Sequence, residues 1–495
     1  MQYCGPINGR ARKRAGSSGN KLLFMILHSL RVILIVLEVL VLFNLLIVIH
    51  ELGHFLAARW RGLYIEKFGI WFGKPIWKKT INGVQYSLGS LPFGGFVALP
   101  QLAPMAIIEG KADVDRAKLP PVSALNKIIV AVAGPLFSLL LAVVLATLIW
   151  VVGYPVSEAD TATTVGYLLP DSPAAKAGLQ PGDKILEVDG RPVRRFSGMN
   201  DSVTWAVVRS EGDKIAIKLE RDGKVQTVWV EPYRAETRGW RRKSVRQLLI
   251  LPAQTPIIEK VEPNSPAAAA GLRPGDIVRG FNQAPIYNPI ALLDYITKHP
   301  NDEIALNVER DGKHFDVRVK PALLPTQGEK KYRIGIQWAE KMTIAHPGPL
   351  EQIHDSITST LNTIAAVASP KSDIKLQHLS GPVGIVRIYY LLFQSDYGWR
   401  LALWFSVILN VNLAILNMFP IPVLDGGHIV LGIIESVRRK PLNTRVLEVV
   451  QGFCTVVIIS LIIYITFFDV QDLPFVRSKL DKFEPKTKQQ PPDAP

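Results

Sequence analysis

The chain has 495 residues, of which 48% are hydrophobic, and 57 lysines and arginines stand against 42 acidic residues for a formal charge of +15. That length exceeds one ordinary domain, and the apolar residues gather in a few long runs, which excludes a single soluble globule and predicts a polytopic membrane protein with soluble parts. The basic excess lies beside the apolar runs and in both tails without the aromatic interleaving of a nucleic-acid binder, so it reads as membrane-surface charge with no nucleic-acid partner. Two cysteines, Cys4 and Cys454, are too few for a disulfide framework or a zinc finger.

In chain order, residues 1–31 form a basic N-terminal tail with Arg10, Arg12, Lys13, Arg14 and Lys21 and no acid. Arg31 interrupts its apolar stretch "KLLFMILHSL", which suggests a helix lying along the surface, and Met25 offers a second start. Residues 32–58 are the first transmembrane helix, since about 20 apolar residues at ~1.5 Å each cross the hydrocarbon core. Residues 59–123 separate it from the second span, 124–153; 398–420 are the third and 446–468 the fourth. Between spans two and three the composition changes to alternating strands with Asp-Gly turns, which predicts soluble structure. Within it "DSPAAKAGLQPGD" (171–183) recurs as "NSPAAAAGLRPGD" (264–276), and "LERDGK" (219–224) as "VERDGK" (308–313), so two copies of one domain occupy 160–235 and 250–325. In each, Ser-Pro opens a short alanine-rich helix, Gly178 or Gly271 ends it, and Pro-Gly-Asp turns the chain into a strand. Amphipathic segments at 345–397 lead to span three, a loop occupies 421–445, and the polar end 469–495 reads as disordered.

The end of the first span, "LLIVIHELGHFLAARW" (45–60), holds His50, Glu51 and His54 in an H-E-x-x-H pattern. On a helix this sets two imidazoles one turn apart on one face with a carboxylate beside them, the arrangement that presents two ligands and a general base to a zinc ion. Three ionisable groups so placed in a span must face protein, a cavity or an ion. A plain hydrogen-bonded histidine-glutamate pair between helices is the alternative, but it does not account for metal-ligand spacing. Asn44, seven residues before Glu51, is suited to an interhelical hydrogen bond or to lining the same cavity.

Zinc needs a third protein ligand and an open position. His50 lies roughly 27 Å along the helix from Val32, near its far end. Counting spans returns the chain to that level at the end of span three, in "NMFPIPVLDGG" (417–427), where Asp425 is the carboxylate available. Pro420 and Pro422 break the helix before it, as a site that admits water and substrate requires. Asp425 could instead cap the next helix, and His428 is a rival ligand.

Together "HELGH" in span one, "NMFPIPVLDGG" in span three and the soluble repeat between spans two and three resemble the site-2 protease family, in its bacterial branch with tandem PDZ domains. The repeats are similar to the circularly permuted PDZ domain. The resemblance implies a polytopic α-helical membrane protein with four transmembrane helices, a membrane-associated β-hairpin and two inserted circularly permuted PDZ domains. It implies zinc held by His50, His54 and Asp425, with Glu51 as catalytic base. Asn417, Pro420 and Pro422 would assist substrate binding. "YSLGSLPFGGFVAL" (86–99) would be the hairpin whose edge at Gly94 and Gly95 pairs with an extended substrate. "SGPVGI" (380–385) matches a further family motif. In "AGPLFSLLLA" (133–142) Ser138 stands where the family suggests asparagine.

The implied activity is intramembrane proteolysis of single-pass membrane proteins, such as a pre-cut anti-sigma factor or remnant signal peptides, after an upstream site-1 protease. The PDZ pair would act as a size filter or peptide receptor. A non-catalytic scaffold and a metal transporter are the rival classes. Retention of Glu51 speaks against the scaffold, and the lack of inverted repeats among the spans speaks against the transporter. Arg59, Arg61, Lys67, Lys74, Lys78 and Lys79 after span one, with Arg438, Arg439, Lys440 and Arg445 before span four, put the active-site end at the cytoplasmic face of a bacterial inner membrane and the PDZ pair in the periplasm. The basic N-terminal tail runs against that orientation.

Overall fold

The computed structural model describes residues 18–102, 119–237, 239–326, 329–439, 442, 444–474 and 476–477, so most of the polar C-terminal tail lies outside it. In chain order its α-helices are α1 (Ser18–Trp60), α2 (Ala124–Val152), α3 (Pro173–Lys176), α4 (Val203–Arg209), α5 (Pro266–Ala269), α6 (Pro289–Lys298), α7 (Pro349–Ala368), α8 (Pro382–Phe393), α9 (Gly398–Asn417), α10 (Asp425–Arg438) and α11 (Thr444–Gln471). Among the described residues four of these, α1, α2, α9 and α11, are long and apolar enough to cross a membrane.

Helix α2 is the hub, packing against α1, α9 and α10. The approach of α1 is set by glycine. A Cβ on Gly53, inside the His-Glu-x-x-His motif, would lie on the carbonyl of Ala133, so only glycine lets the two backbones meet there. Pro135 inside α2 has no amide to offer the carbonyl of Ala131 one turn back, which loosens the helix beside this crossing.

Two expectations for the first hundred residues are corrected. Helix α1 starts at Ser18 and runs unbroken through Arg31, so residues 18–31 are not a separate surface helix. Arginine is a good helix former, and its long side chain escapes the apolar surroundings by reaching the Gln394 carbonyl at 3.4 Å. The stretch 86–99 is not a β-hairpin, because its two strands do not pair with each other. Strands β1 (Lys67–Phe72), β2 (Trp77–Ile81), β3 (Val84–Leu88) and β4 (Leu91–Ala98) form a sheet in the order β2-β3-β1-β4. Strand β1 is inserted between β3 and β4, parallel to the first and antiparallel to the second. Its Phe68 joins Phe55, Leu63, Val97 and Val130 in one apolar cluster, burial that a two-stranded hairpin would forgo.

The repeat folds into two similar units. In unit one, β5 (Tyr154–Ser157) leads to β6 (Val165–Leu168), β7 (Lys184–Val188), β8 (Arg191–Pro192), β9 (Ile215–Arg221), β10 (Lys224–Val230) and β11 (Ile250–Pro252), with β10-β9-β7-β8 in one sheet and β11 on β6. In unit two, β12 (Ile257–Val261), β13 (Ile277–Phe281), β14 (Ala284–Pro285), β15 (Ile304–Arg310) and β16 (Lys313–Val319) precede the pair β17 (Ala322–Thr326) and β18 (Glu329–Arg333) and then β19 (Ile336–Ala339), in the order β16-β15-β13-β12-β19. Each unit therefore ends later than expected, at Pro252 and Ala339 rather than 235 and 325, because its last strand returns to pair with its first. Strand β20 (Met342–Ala345) pairs with β5 and closes the pair at its base.

The repeated motifs have matching roles. Ser172 and Ser265 cap α3 and α5, accepting from the amides of Ala175 and Ala268 at 3.2 Å each. The aspartates of Pro-Gly-Asp, Asp183 and Asp276, are almost fully buried and held by the arginines of the second motif, Arg221 and Arg310, through paired bonds of 2.6 to 2.7 Å. The segment expected as a loop over 421–445 is mostly helical, as α10. "SGPVGI" also acquires a role: the amides of Gly381 and Gly384 at the start of α8 both donate at 2.9 Å to the buried Asp469 carboxylate of α11. A side chain on Gly384 would displace it.

Candidate metal centre and active site

His50, Glu51 and His54 lie on the last turns of α1, against α2 and the edge of β4. Asp425 opens α10, and the turn before it is compressed so tightly that a Cβ on Gly426 or Gly427 would overlap the backbone of residues 418–422. These elements bring one nitrogen from each histidine and one oxygen of Asp425 within 4.8 Å of one another.

The chemistry of this donor set fits a zinc ion. The Nδ1 of His54 is 2.8 Å from the carbonyl of Val130, an acceptor only, so Nδ1 carries the proton and Nε2 presents a lone pair. The Nδ1 of His50 is engaged by Ser138 Oγ at 2.9 Å, turning its Nε2 toward the same point. The two Nε2 atoms are 3.3 Å apart, and lie 3.2 Å and 3.3 Å from the two oxygens of Asp425. Ligands about 2.05 Å from zinc at tetrahedral angles are separated by about 3.3 Å, which is the spacing of the two Nε2 atoms and of each Nε2 from one Asp425 oxygen. Asp425 Oδ2 is buried with no hydrogen-bond donor, a cost that a cation removes.

The centre faces a cavity of about 230 Å³ whose walls include Glu51, Gly95, Asn417 and His428. Strand β4 is the edge of its sheet, and backbone groups two residues apart point the same way, so Gly95 and Val97 turn their amides and carbonyls toward the cavity. A Cβ on Gly95 would sit 3.3 Å from Glu51 Cγ, closer than a carbon contact normally allows. Asn417 ends α9 with its Nδ2 at 3.4 Å from His50 Nε2.

Not every expected residue reaches the cavity. Gly94, at φ +83°, turns against Phe72 and serves the bend of β4. Pro420 and Pro422 shape the turn before Asp425, and neither is among the cavity walls. His428 does line the cavity, but it stands outside the three-ligand cluster. Asn44 tethers the sheet rather than another helix: its Nδ2 donates to the Pro92 carbonyl at 3.2 Å and its Oδ1 accepts from Trp71 Nε1 at 2.8 Å.

Helix α2 supplies two residues that no motif marked, Val130 and Gly134, and gives Ser138 a contact with His50. A Cβ on Gly134 would fall on His54 Nε2 and lie 2.8 Å from His50 Nε2, so glycine there leaves the space in which a metal would sit. Gly134, Val130 and Ser138 recur at four-residue spacing on one face of α2. The signal available was the Gly-Pro pair inside an otherwise unbroken apolar span.

Residues 38–461 match peptidase family M50. The chain belongs to this family, the site-2 proteases. It is a zinc metalloendopeptidase. Among curated relatives it is 28% identical over 440 residues to the regulator of sigma-E protease RseP of Escherichia coli (strain K12), covering 83% of this chain and 92% of that one. A regulator of sigma E protease of Salmonella typhimurium (strain LT2) is 27% identical over 81% of this chain and 91% of its own length. A Xylella fastidiosa (strain 9a5c) chain with a zinc-metalloprotease name is 30% identical, covering 83% and 92%.

Proposed function

We propose that this metalloendopeptidase cleaves single-pass transmembrane proteins inside the bilayer, with His50, His54 and Asp425 as zinc ligands and Glu51 as general base. The observation that carries the reading is the convergence of those three ligands beside an exposed strand edge at the end of an apolar helix. Bound there, zinc would polarise the scissile carbonyl and make water acidic enough to deprotonate near neutrality. Glu51 takes the proton from that water and returns it to the leaving amine. Asn417 donates to the carbonyl oxygen as charge develops there.

A substrate helix has every amide bonded internally, so it must unwind to be cut. The outward groups of Gly95 and Val97 pair with the freed backbone by strand addition and hold it extended. The same pairing explains the glycine at 95, where any side chain would stand between strand and carboxylate.

The two soluble units are circularly permuted PDZ domains on the opposite side of the membrane. This is supported by their matched strand order, by β11 and β19 returning to the first strand of each unit, and by the Asp-Arg forks they share. In a bacterial inner membrane they face the periplasm, and the zinc centre lies toward the cytoplasm, the side bearing the basic flanks. There they exclude substrates whose outer domain an upstream protease has not yet removed. Anti-sigma factors and remnant signal peptides are substrates of this shape.

The test is to incubate purified enzyme with a single-pass substrate and map the new termini by mass spectrometry. Cuts within the apolar segment, faster when a helix-breaking proline is placed beside them, are expected. Cuts confined to the soluble flanks would overturn the reading.

A further inference from the structure

Unit one contains a second charged cluster that the zinc chemistry does not use. Arg246, just before β11, is only 2% exposed, and a buried guanidinium is costly unless fully paired. Its partner is Asp373, from the stretch that joins α7 to α8. Asp373 Oδ2 accepts from the Arg246 backbone amide at 3.0 Å, from Arg246 Nε at 3.0 Å and from Arg234 Nε at 3.1 Å, and Oδ1 accepts from Arg246 Nη2 at 3.3 Å. Arg246 Nη1 is spent on the Gly212 carbonyl, beyond the end of α4. Burial works against the Asp373 charge, but the bonds from Arg246 and Arg234 outweigh it and hold the carboxyl below its ordinary value.

The neighbouring residue completes a pocket. Ile374 is 5% exposed and packs with Trp205 and Val208 of α4 and with Ala366 and Val367 of α7. Ser369 Oγ donates to Glu211 at 2.7 Å, and Lys375 Nζ folds back onto the carbonyls of Ser369 and Pro370. The strap thus lies along α4 and the turn before β11. That turn has an equivalent in unit two. Leu249 and Gly335 both adopt left-handed φ, +58° and +85°, and their carbonyls accept from Leu169 and Glu262 in the same way. On α6 of unit two Leu293 is 51% exposed.

We propose that residues 372–374 are an internal ligand of unit one, the Asp373 carboxylate standing in for a peptide's terminal carboxylate and Ile374 for its apolar last side chain. The site is then a receptor for chain ends of that chemistry, closed by the chain's own strap. Because the strap continues into α8 and on to α9, its release changes the tether between unit one and the membrane helices. The proposal rests on reading the units as peptide-capturing domains.

The test uses the full chain in detergent on a Glu51→Gln background, with a fluorescein-labelled hexapeptide ending in isoleucine as the free acid and as the amide. Adding Asp373→Asn is expected to raise affinity for the acid at least tenfold, with no binding of the amide. With the strap unmutated, saturating acid but not amide is expected to speed hydrogen exchange over residues 371–378, a readout that does not require the variant to fold. Acid binding with neither the affinity nor the exchange affected overturns the internal ligand and leaves peptide capture by unit two standing. Equal binding of acid and amide overturns the carboxylate site. Absence of any peptide binding overturns both the proposal and the reading beneath it.

Discussion

Replacing Gly134 by alanine adds one methyl group to a helix that supplies no metal ligand, yet it is expected to disable the centre. The new carbon would stand 2.5 Å from His54 Cε1 and 2.8 Å from His50 Nε2, and nearer still to His54 Nε2. Carbon contacts prefer about 3.5 to 4.0 Å, so one or both rings must retreat by roughly 0.7 Å or more. Zinc ligand distances tolerate only about 0.2 Å, so ligand spacings of 3.2 to 3.3 Å cannot survive that displacement. Overpacking of this kind costs about 1 to 3 kcal/mol, which at 1.4 kcal/mol per decade weakens zinc roughly 5- to 150-fold. Competition with a chromogenic chelator measures the affinity, and circular dichroism checks that the helices remain. Unaltered zinc affinity in a folded Gly134→Ala protein would refute the placement of α2 against the ligands.

Ser138→Ala removes the group that turns His50 and should lower zinc affinity by about 10- to 100-fold without abolishing binding, as measured by the same competition. Asn44→Leu cuts both tethers of the sheet, so kcat/KM should fall severalfold while zinc content stays at one per chain; equal loss of zinc would show that Asn44 acts on the centre itself. Unit two should lose stability in acid. Burial opposes the charge of Asp276, but Arg310 and the Arg273 amide more than offset it and lower its pKa, so its contribution is complete above the unfolded value near 3.8 and drains away as pH falls through the lowered folded value. Denaturant melts of the full chain followed at unit two should therefore shift downward below about pH 4, and Asp276→Asn should flatten that dependence.

The clustering of the candidate ligands was more legible than the scaffold that holds them. His50 and His54 announce themselves by spacing, and Asp425 follows from counting spans, because both signals are local or depend only on topology. The two units were legible as a repeat, since Ser-Pro, Gly and Pro-Gly-Asp mark the same turns twice. Their ends were not, because β11 and β19 pair with strands more than 70 residues earlier, and short apolar runs carry no sign of a partner. The sheet after α1 was misread for a related reason. Adjacent strands β3 and β4 suggest a hairpin, and only the burial of Phe68 puts β1 between them. Val130 acts through its carbonyl, which every residue has, so no side-chain pattern could have singled it out.

The measurement that bears most directly on the central claim compares native enzyme with Glu51→Gln for zinc content and for cleavage of a single-pass substrate. One zinc per chain is expected in both, with cleavage within the apolar segment by the native enzyme and a loss of at least three orders of magnitude in the variant. Cleavage at the native rate by Glu51→Gln, or zinc bound at full strength after His50, His54 or Asp425 is replaced, would contradict it.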